Sequence, residues 1–298
     1  MVTFKHEHNI ARTPHRVVVL GASGFVGRHT VRHLGSSGIN TLSISSADID
    51  LTSPESSMEL SNVLETTDSL VFVSAKAPVK NHKMLLDNIK MAVNVCDALR
   101  RTTITHLVYV SSDAVYADDD EPITEDSIKA PDSLHGVMHL SRELMLKELD
   151  SIPKCILRPT LIYGPLDPHN GYGPNRFIRQ ALSDKTISVF GNGEEQRDHI
   201  WIEDVAHVIG LVLSYKSIGQ LNICSGSTVS FMQIAEMIQE NIVGSRGIEK
   251  LPRHGPIPHN GYRPLDASRL SSVFPNFTPV QPLHGIQKCI HGFRESQM

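Results

Sequence analysis

The sequence has few features of an exported or membrane-embedded protein. Its 298 residues include four cysteines, Cys96, Cys155, Cys224 and Cys289, and no CxxC pair. Isolated cysteines, two of them in apolar strand-like runs, are typical of buried reduced thiols in a cytoplasmic protein. No apolar run has the length of a membrane span. The polar start, MVTFKHEHNIARTPH, lacks the apolar core of a signal peptide, so we expect a cytoplasmic location.

The sequence also lacks the basic excess of a general nucleic-acid binder. The formal net charge is -4 at pH 7, with 28 basic and 32 acidic residues. A nucleic-acid-binding surface usually carries clustered Lys and Arg. The composition, with 40% hydrophobic and 20% charged residues, is that of a folded globular protein with ample material for a buried core.

The first half of the chain alternates strand patterns with helical patterns. The strand-like runs are RVVVL, NTLSIS, SLVFVSA, THLVYVSS and CILRPTLIYG, starting at residues 16, 40, 69, 105 and 155. Helical patterns lie at 25–38, 54–65, 82–101 and 132–149. Apolar strands separated by helices indicate a parallel sheet that is buried on both faces. We therefore predict an α/β fold with a doubly wound parallel sheet over residues 1–165.

Beyond about residue 165 the pattern loosens. Gly and Pro cluster in YGPLDPHNGYGPN and LPRHGPIPHNGYRP, with single helical patterns between them. A loop-rich segment at the end of a parallel sheet is a usual place for substrate recognition. We predict a smaller C-terminal α/β substrate lobe over 166–298, from which some segments return to the first sheet.

A glycine-rich turn, VVVLGASGFVG, joins the first long strand to the first helix. Gly21 permits a tight turn, Gly24 lets the backbone approach a pyrophosphate, and Gly27 lets the helix pack closely on the strand. The amino end of the helix attracts the phosphate charge. The predicted dinucleotide contacts in this turn are Gly21, Ser23, Gly24, Phe25, Val26 and Gly27.

The GxxGxxG spacing resembles the short-chain dehydrogenase/reductase superfamily, in particular its extended branch of nucleotide-sugar epimerases, dehydratases and reductases. The resemblance continues in YVSSDAVYA, LRPTLIYGP, VFGNGEEQRDHIWIEDVA and YRPLDASRL. It implies a Rossmann-type domain that binds NAD(P), a nucleotide diphosphate-sugar as substrate, a role in polysaccharide biosynthesis, and a homodimer formed by helix packing.

The resemblance implies further cofactor contacts. Asp50 matches the family aspartate that accepts a hydrogen bond from the adenine amino group, and Asp48 is a competing match. Ala75 lies where the family has a strand end that lines the cofactor, and Asn88 matches an asparagine on the next helix. Tyr163 matches the segment that meets the nicotinamide end. NAD and NADP stay equally open, because SISS at the end of the second strand offers neither an acid for the ribose 2′-hydroxyl nor an arginine.

The catalytic helix departs from the family pattern. The family has Tyr-x-x-x-Lys, in which the tyrosine transfers the proton, the lysine lowers the tyrosine's pKa, and a nearby serine binds the reacting oxygen. Ser112 matches the serine, whereas His135 and His139 stand at the tyrosine and lysine positions. The four-residue spacing places both imidazoles on one face of the helix.

Three interpretations of this histidine pair are open. In the first, which we favour, His135 is the acid–base group, because an unperturbed imidazole pKa of about 6.5 suits proton transfer near neutrality. In the second, His135, His139 and Glu143 bind a metal, although Glu143 already matches a family glutamate and HExxH is missing. In the third, the chain binds cofactor and nucleotide-sugar in a regulatory role without fast chemistry. We predict no metal site.

The predicted substrate contacts are Asp113, Asn175, Arg197 and Arg263. Both arginines match family arginines, and guanidinium groups suit a diphosphate in charge and geometry. Asn175 is expected near the same diphosphate. Ala114 replaces the glutamate of family dehydratases, so dehydration is disfavoured. The predicted enzyme is an epimerase or a keto-reductase of a nucleotide diphosphate-sugar, and the sequence does not separate the two reactions.

Overall fold

The computed structural model describes residues 4–295, which form two compact units. The first unit comprises the chain up to Ala117 together with Ser127–Pro159 and Val205–Ile223. The second comprises Asp118–Asp126, Thr160–Asp204 and the chain from Cys224 onward. Both units are therefore discontinuous in sequence.

The described residues form the following elements. The strands are β1 (Lys5–His6), β2 (Arg16–Leu20), β3 (Thr41–Ile44), β4 (Asp68–Phe72), β5 (His106–Val110), β6 (Lys154–Pro159), β7 (Leu161–Tyr163), β8 (Ile187–Phe190), β9 (Gln196–Trp201), β10 (Ser217–Ile223), β11 (Thr228–Ser230), β12 (Ile248–Leu251) and β13 (Tyr262–Arg263). The helices are α1 (Phe25–Ser36), α2 (Ser56–Val63), α3 (His82–Arg101), α4 (Leu134–Lys147), α5 (Pro174–Leu182), α6 (Ile202–Ser214), α7 (Phe231–Asn241), α8 (Ser268–Val273) and α9 (Pro282–Glu295).

The first unit is built on a seven-stranded sheet with the order β1-β10-β6-β5-β4-β2-β3. Its strand pairs are parallel, except that β1 is antiparallel to β10. Since β2 lies between β3 and β4, the strand order reverses at β2. Ligands of open α/β sheets bind outside the carboxyl ends of the strands at such a switch point. The glycine turn follows Leu20 at this point, and the predicted Rossmann-type fold is confirmed.

Helices cover both faces of this sheet, and its central strands β4 and β5 are buried along their whole length. Successive strand residues point to opposite faces. Val18, Leu70 and Leu107 belong to a core cluster that also contains side chains of α2, α3 and α4. On the other face α1 packs against α6, where the rings of His33 and His207 are 5.3 Å apart. Burial on both faces explains the unbroken apolar runs in the sequence.

The strand predicted over residues 155–164 is two strands in the structure. β6 ends at Pro159 in the large sheet, and β7 pairs with β9 in the second unit. Proline has no backbone N–H to donate, so the ladder of the large sheet ends there. The change of sheet at Thr160 coincides with the change of unit.

The second unit contains two small sheets. In the larger one, β9 pairs with β7, β11 and β13, and in the smaller one, β8 pairs in parallel with β12. Helices α5, α7 and α9 pack against one another in this unit. Over residues 4–295, no helix is both long and apolar enough to cross a membrane.

Candidate active site and cofactor site

The glycine turn after β2 is closely packed. Gly21 has a φ of +102°, which favours glycine, and a Cβ there would lie 2.7 Å from the backbone nitrogen of Ser74. A Cβ on Gly27 would lie 2.1 Å from the carbonyl oxygen of Gly21. Glycine at both positions therefore allows the turn, α1 and the loop after β4 to meet at the switch point of the sheet.

The start of α1 offers backbone donors to an anion. Gly24 precedes the helix in an extended conformation, and the first turn contains neither a side-chain cap nor an acidic residue. The first N–H groups of a helix have no partner within the helix and attract negative charge. Ser23 and Gly24 are exposed, and Phe25 and Val26 are half-buried, so a phosphate has access to this turn.

Two buried side chains fix the loop after β4. Asn88 on α3 accepts a hydrogen bond from the backbone N–H of Lys76 at 3.1 Å and donates to its carbonyl at 3.0 Å. The guanidinium of Arg142 on α4 donates to the carbonyl of Ser74 at 2.7 Å and to that of Asn88 at 3.0 Å. Ala75, which is exposed, lies between these anchored residues. Both side chains thus hold the backbone that adjoins the glycine turn.

The two competing aspartates have similar hydrogen bonds, and Asp48 also lines a cleft beside the glycine turn. The carboxylate of Asp50 accepts hydrogen bonds from the backbone and hydroxyl of Thr52, at 2.9 and 2.8 Å. The carboxylate of Asp48 accepts from the backbone and hydroxyl of Ser45, at 2.8 and 2.6 Å. These hydrogen bonds lower the pKa of both carboxyl groups. A cleft beside the glycine turn is lined by Ala22, Ser23, Arg28, Val31, Ser43, Ser45 and Asp48.

Ser112 begins a short 3₁₀ turn at the carboxyl end of β5. Its hydroxyl oxygen accepts a hydrogen bond from the backbone N–H of Ala114 at 3.1 Å. The same hydroxyl donates to a carboxylate oxygen of the buried Asp113 at 3.3 Å. The turn therefore fixes a half-buried serine hydroxyl at the end of a central strand.

The amino end of α4 packs directly on this serine turn. A Cβ at Gly136 would lie 2.0 Å from the carbonyl oxygen of Ala114 and 2.7 Å from the Cβ of Pro131. A larger residue at 136 therefore requires the helix or the turn to shift. The half-buried His135 precedes Gly136 in the first turn of α4, so this contact brings its helical turn against the turn that carries Ser112.

His139 is buried and interacts with Tyr109 of β5. Its Nδ1 lies 2.8 Å from the Tyr109 hydroxyl, and its ring meets that of His135 edge to face, with centroids 4.7 Å apart. Burial lowers the pKa of His139 well below its usual value, and the nearby His135 and Arg142 lower it further. Burial likewise raises the pKa of Tyr109. The pair is thus a neutral imidazole bonded to a neutral phenol at neutral pH.

Glu143 belongs to a different network from the two histidines. Its carboxylate accepts from the hydroxyl of Ser111 at 2.7 Å and from the guanidinium of Arg158 at 2.8 and 2.6 Å. Both side chains of this ion pair are fully buried. Among residues 4–295, no group of three or more His, Cys, Asp and Glu side chains is arranged to hold a metal ion. The metal interpretation of the histidine pair therefore has no third ligand in Glu143.

In the second unit, Arg197 and Arg263 lie opposite each other on the neighbouring parallel strands β9 and β13. Like charges directly opposite each other in a sheet destabilise it unless an anion compensates them. Glu195 lies 3.6 Å from the guanidinium of Arg197 and 3.6 Å from that of Arg253. Three guanidinium groups are therefore associated with this part of the sheet.

Arg263 has its own counter-ion in Asp118. Its guanidinium donates to the carboxylate of Asp118, which also lies 2.6 Å from Nδ1 of His259. Arg263 is 2% exposed, whereas the Asp118 side chain is 34% exposed. An anionic ligand of Arg263 would therefore compete with a carboxylate that solvent can reach.

The remaining two predicted ligand contacts are inside the second unit. Asn175, at the start of α5, accepts from the backbone N–H of Gly164 at 3.1 Å and donates to Asp167 at 2.8 Å. The hydroxyl of Tyr163 faces Gly285 of α9, where a Cβ would lie 1.8 Å from it. Burial raises the pKa of Tyr163. Asn175 therefore links the start of α5 to the preceding loop, and Tyr163 packs against α9.

The sequence of the chain matches the model of the NAD dependent epimerase/dehydratase family over residues 17–224, more than half of its length. The chain belongs to the NAD-dependent epimerase/dehydratase family. The resemblance seen in its motifs is thereby confirmed.

The relatives that the chain resembles include proteins named as an epimerase and as a GDP-L-fucose synthase. An uncharacterized UDP-glucose epimerase of Bacillus subtilis is 26% identical over 259 positions, covering 76% of this chain and 81% of the relative. An Oryza sativa protein named "Probable GDP-L-fucose synthase 1" is 27% identical over 310 positions, covering 93% and 91%. The structure of a GDP-L-fucose synthetase from Naegleria fowleri bound to NADP has a TM-score of 0.84 at 16% identity, covering 98% and 96%. This structural likeness shows the shared fold.

This family member brings its predicted residues together in two groups. The first unit contains the predicted cofactor residues other than Tyr163, together with Ser112, Asp113, His135 and His139. The second unit contains Tyr163, Asn175, Arg197 and Arg263. The roles of the individual residues stay predictions.

Three further residues that contact the predicted ones or their partners were not identified from the sequence. Tyr109 lies in an apolar strand run, where an aromatic side chain indicates only a core position. Arg142 follows His139 by three positions on the same helical face, which is the signal that could have drawn attention to it. Arg253 lies in a Gly- and Pro-rich loop, and no pattern in the sequence connects it with Glu195.

Proposed function

We propose that this protein is an NAD(P)-dependent epimerase or keto-reductase that acts on a nucleotide diphosphate-sugar. The observation that carries the proposal is the contact between Gly136 and the carbonyl of Ala114, which packs the helical turn of His135 on the turn of Ser112. A serine hydroxyl and a titratable imidazole from adjoining turns are the groups needed to bind and protonate a reacting sugar oxygen.

The glycine turn suits a dinucleotide. A Cβ at Gly21 or Gly27 would collide with neighbouring backbone, and the uncapped start of α1 presents N–H groups to a phosphate. Gly21, Ser23, Gly24 and the first turn of α1 would hold the pyrophosphate, and the loop at Ala75 would border the cofactor. When bound, the nicotinamide supplies hydride acceptance or donation.

His135 is the proposed acid–base group. During oxidation of a sugar carbinol by the bound cofactor, the imidazole of His135 would take the hydroxyl proton. During reduction of a keto-sugar, the imidazolium of His135 would return a proton to the carbonyl oxygen. Ser112 would turn its hydroxyl from the long 3.3 Å bond with Asp113 to donate a hydrogen bond to this oxygen and hold it in place.

His139 acts in this proposal through its neighbour. Its imidazole is buried, neutral and bonded to Tyr109, so it does not supply the positive charge of the family lysine. Its ring packs edge to face with that of His135. His139 is therefore a positioning residue that fixes the ring of His135.

The proposed substrate carries a diphosphate. Arg197 and Arg263 face each other across β9 and β13, and Arg253 shares Glu195 with Arg197. A diphosphate would pair with these groups in competition with Glu195 and Asp118, and guanidinium groups bind phosphate oxygens in a bidentate geometry. The names of the relatives, which mention UDP-glucose and GDP-L-fucose, support this substrate class.

Water elimination is disfavoured in this proposal. Ala114 follows Asp113 where family dehydratases have a glutamate base, and the methyl side chain of alanine cannot remove a proton. The reactions left are 4-epimerisation, in which oxidation and reduction occur in turn, and net keto-reduction.

A binding-only protein is the second candidate, and one observation favours it. A neutral His139 leaves the acid–base group without the charge that tunes the family tyrosine. In addition, an imidazole is shorter than a phenol, and a misplacement of about 1 Å can cost about 10²-fold in rate. Tight binding of cofactor and nucleotide-sugar without hydride transfer would identify this candidate.

The protein is proposed to form a homodimer through α3 and α4. Exposed apolar side chains on these helices are Leu86, Val93, Leu134, Val137 and Leu144. Seven-residue spacings keep Leu86 with Val93, and Val137 with Leu144, on one face of each helix. Such exposed apolar faces mark protein–protein contacts. Sedimentation of wild type and of Val93→Glu should show a dimer that the charge weakens.

The protein is proposed to be located in the cytoplasm. The four cysteines are free and buried, as expected of thiols in a reducing compartment. No partner other than the small-molecule substrate and a second copy of the chain is proposed.

A panel of UDP-, GDP-, dTDP- and CDP-sugars, each with NAD or NADP and with the reduced cofactors, tests this function. Interconversion of two sugars without net cofactor change identifies an epimerase, and net oxidation of reduced cofactor identifies a reductase. Binding without either reaction favours the second candidate. Failure to bind any dinucleotide contradicts the proposal.

A further inference from the structure

A cleft of about 350 Å³ lies beside the glycine turn, at the end of β3. Its polar lining includes Ser43, Ser45, Asp48 and, from α1, Arg28. In a dinucleotide-binding α/β fold, the adenosine ribose lies at the end of the second parallel strand. This cleft therefore borders the ribose 2′ position, which is where NAD and NADP differ.

Asp48 places a negative charge of the chain itself in this cleft. Its Oδ2 accepts hydrogen bonds from the backbone N–H of Ser45 at 2.8 Å and from the Ser45 hydroxyl at 2.6 Å. Backbone N–H and serine hydroxyl groups are also the donors that bind a phosphate. Because these hydrogen bonds lower the pKa of Asp48, its carboxylate is ionised at neutral pH.

The second oxygen of the same carboxylate is suited to a hydroxyl group. Both hydrogen bonds from Ser45 end on Oδ2, so Oδ1 keeps its lone pairs for a further donor. Asp48 is exposed, and a ligand can reach it. A ribose 2′-hydroxyl is such a donor, whereas a 2′-phosphate carries about −1.5 to −2 charges near pH 7 and would be repelled.

We infer that Asp48 makes this protein selective for NAD(H) over NADP(H), by accepting a hydrogen bond from the ribose 2′-hydroxyl and by excluding a 2′-phosphate. The inference rests on the proposed dinucleotide site. Asp48 lies after the end of β3 in sequence, and its hydrogen bonds to Ser45 bring it back to the end of this strand. The strand-end sequence SISS, which contains no acid, does not show this.

Arg28 supplies a positive charge that could bind a 2′-phosphate once the charge of Asp48 is removed. Its side chain is exposed, lines the same cleft, and donates to the carbonyl of Ser23 at 2.7 Å. Without the carboxylate, the donors of Ser45 and the guanidinium of Arg28 would form a site of the right charge for a 2′-phosphate. The preference should therefore reverse through Arg28.

Calorimetric titration of the full-length protein with NAD and with NADP tests the inference. The wild type should bind NAD more tightly than NADP. Asp48→Asn should weaken NAD binding and strengthen NADP binding, each by roughly tenfold, the loss or gain expected for a charged hydrogen-bond partner. Adding Arg28→Met to Asp48→Asn should remove the gain for NADP.

Asp97→Asn is the matched control. It removes an exposed carboxylate that bonds to Arg100 on α3, so both affinities should stay unchanged. Asparagine at 48 keeps an oxygen that accepts from Ser45, and an unchanged thermal unfolding transition would show that the turn is intact.

A wild type that prefers NADP, or an Asp48→Asn variant that keeps the wild-type ratio of affinities, would overturn the inference and leave the proposed function standing. A wild type that binds neither dinucleotide would overturn the proposed function and, with it, the inference.

Discussion

The hydroxyl of Tyr109 lies 2.8 Å from Nδ1 of His139, and both side chains are buried. His139 stands where the family resemblance places a catalytic lysine. A neutral imidazole that is already bonded to a phenol cannot replace the charge of that lysine. If His135 is the acid–base group as proposed, its proton transfer depends on the pKa of its own imidazole, and variants of the pair test this.

Tyr109→Phe should destabilise the protein by about 1–3 kcal/mol, because it leaves Nδ1 of His139 buried without its partner. Urea unfolding measures the loss. Tyr262→Phe, which changes an exposed tyrosine, is the control and should have no measurable effect. The titration of His135, followed by NMR, should also change in Tyr109→Phe if the pair positions that ring. Equal stabilities of the two variants would show that the hydrogen bond contributes nothing.

Restoring the family residues should raise turnover only when both positions are changed together. His135→Tyr alone lacks a neighbouring cation, and His139→Lys alone buries a charge beside Arg142. The double variant should turn over faster than either single variant, a non-additive result expected of groups that work as a unit. Turnover numbers of the four proteins with one nucleotide-sugar measure this. Strictly additive effects on the activation free energy would contradict it.

Gly136→Ala should damage the site through its backbone. The added methyl group would meet the Ala114 carbonyl at 2.0 Å, and such overpacking typically costs 1–3 kcal/mol. Turnover should fall as well, because the turns of Ser112 and His135 are forced apart. Gly35→Ala is the control: it lies in α1 with open space around it, and alanine favours a helix by about 0.5–1 kcal/mol. A harmless Gly136→Ala would contradict the close contact.

Arg197→Ala and Arg263→Ala should each weaken nucleotide-sugar binding by about 1.5–3 kcal/mol, the contribution of a charge-assisted hydrogen bond. Arg253→Ala should act in the same direction, because Arg253 shares Glu195 with Arg197. Arg246→Ala removes an exposed guanidinium that pairs with Asp184 and serves as the control. Calorimetry with UDP- and GDP-sugars measures the change. If these variants lost dinucleotide affinity to the same extent, the arginines would not be specific to the nucleotide-sugar site.

Acid should destabilise the fold partly through His106. Its Nε2 donates to the carbonyl of Ser217 at 2.7 Å, and burial lowers its pKa to about 4. The unfolded chain, with a histidine pKa of about 6.5, takes up the proton first as the pH falls. The stability that depends on neutral His106 is therefore present above about pH 6.5 and is lost towards pH 4, up to roughly 3 kcal/mol.

Unfolding free energies of wild type and His106→Gln, measured between about pH 7 and pH 4.5, isolate this contribution. The wild type should lose more stability than the variant over this range. The comparison cancels the opposite contribution of Asp204, whose pKa burial raises to about 6, since both proteins contain it. Parallel pH profiles would show that His106 is not responsible.

Much of the fold could be predicted because local signals agreed with the tertiary structure. The run at 16–20 and the helical pattern at 82–101 have the observed bounds of β2 and α3. The run at 155–164 was different, because apolar character alone cannot show that a chain leaves one sheet after Pro159 and enters another. The assignment of Asp118–Asp126 to the second unit is likewise set by contacts distant in sequence, such as Arg263 with Asp118.

Residues of the candidate site could be proposed from the sequence wherever a residue type has a fixed spacing. The glycine turn and the histidine pair at 135 and 139 could be found because a strand end or a helical turn sets their positions. The partners of these residues could not be found in this way. Tyr109 meets His139, and Asp48 returns to Ser45, through packing and turn geometry that no short pattern in the sequence encodes.

The pH dependence of turnover in wild type and His135→Ala, with whichever nucleotide-sugar of the panel reacts, tests the proposed function most directly. The account predicts that wild-type turnover depends on one ionisation near the pKa of imidazole, and that His135→Ala loses most of its turnover while still binding cofactor and substrate. Full activity of His135→Ala with an unchanged pH profile would contradict it.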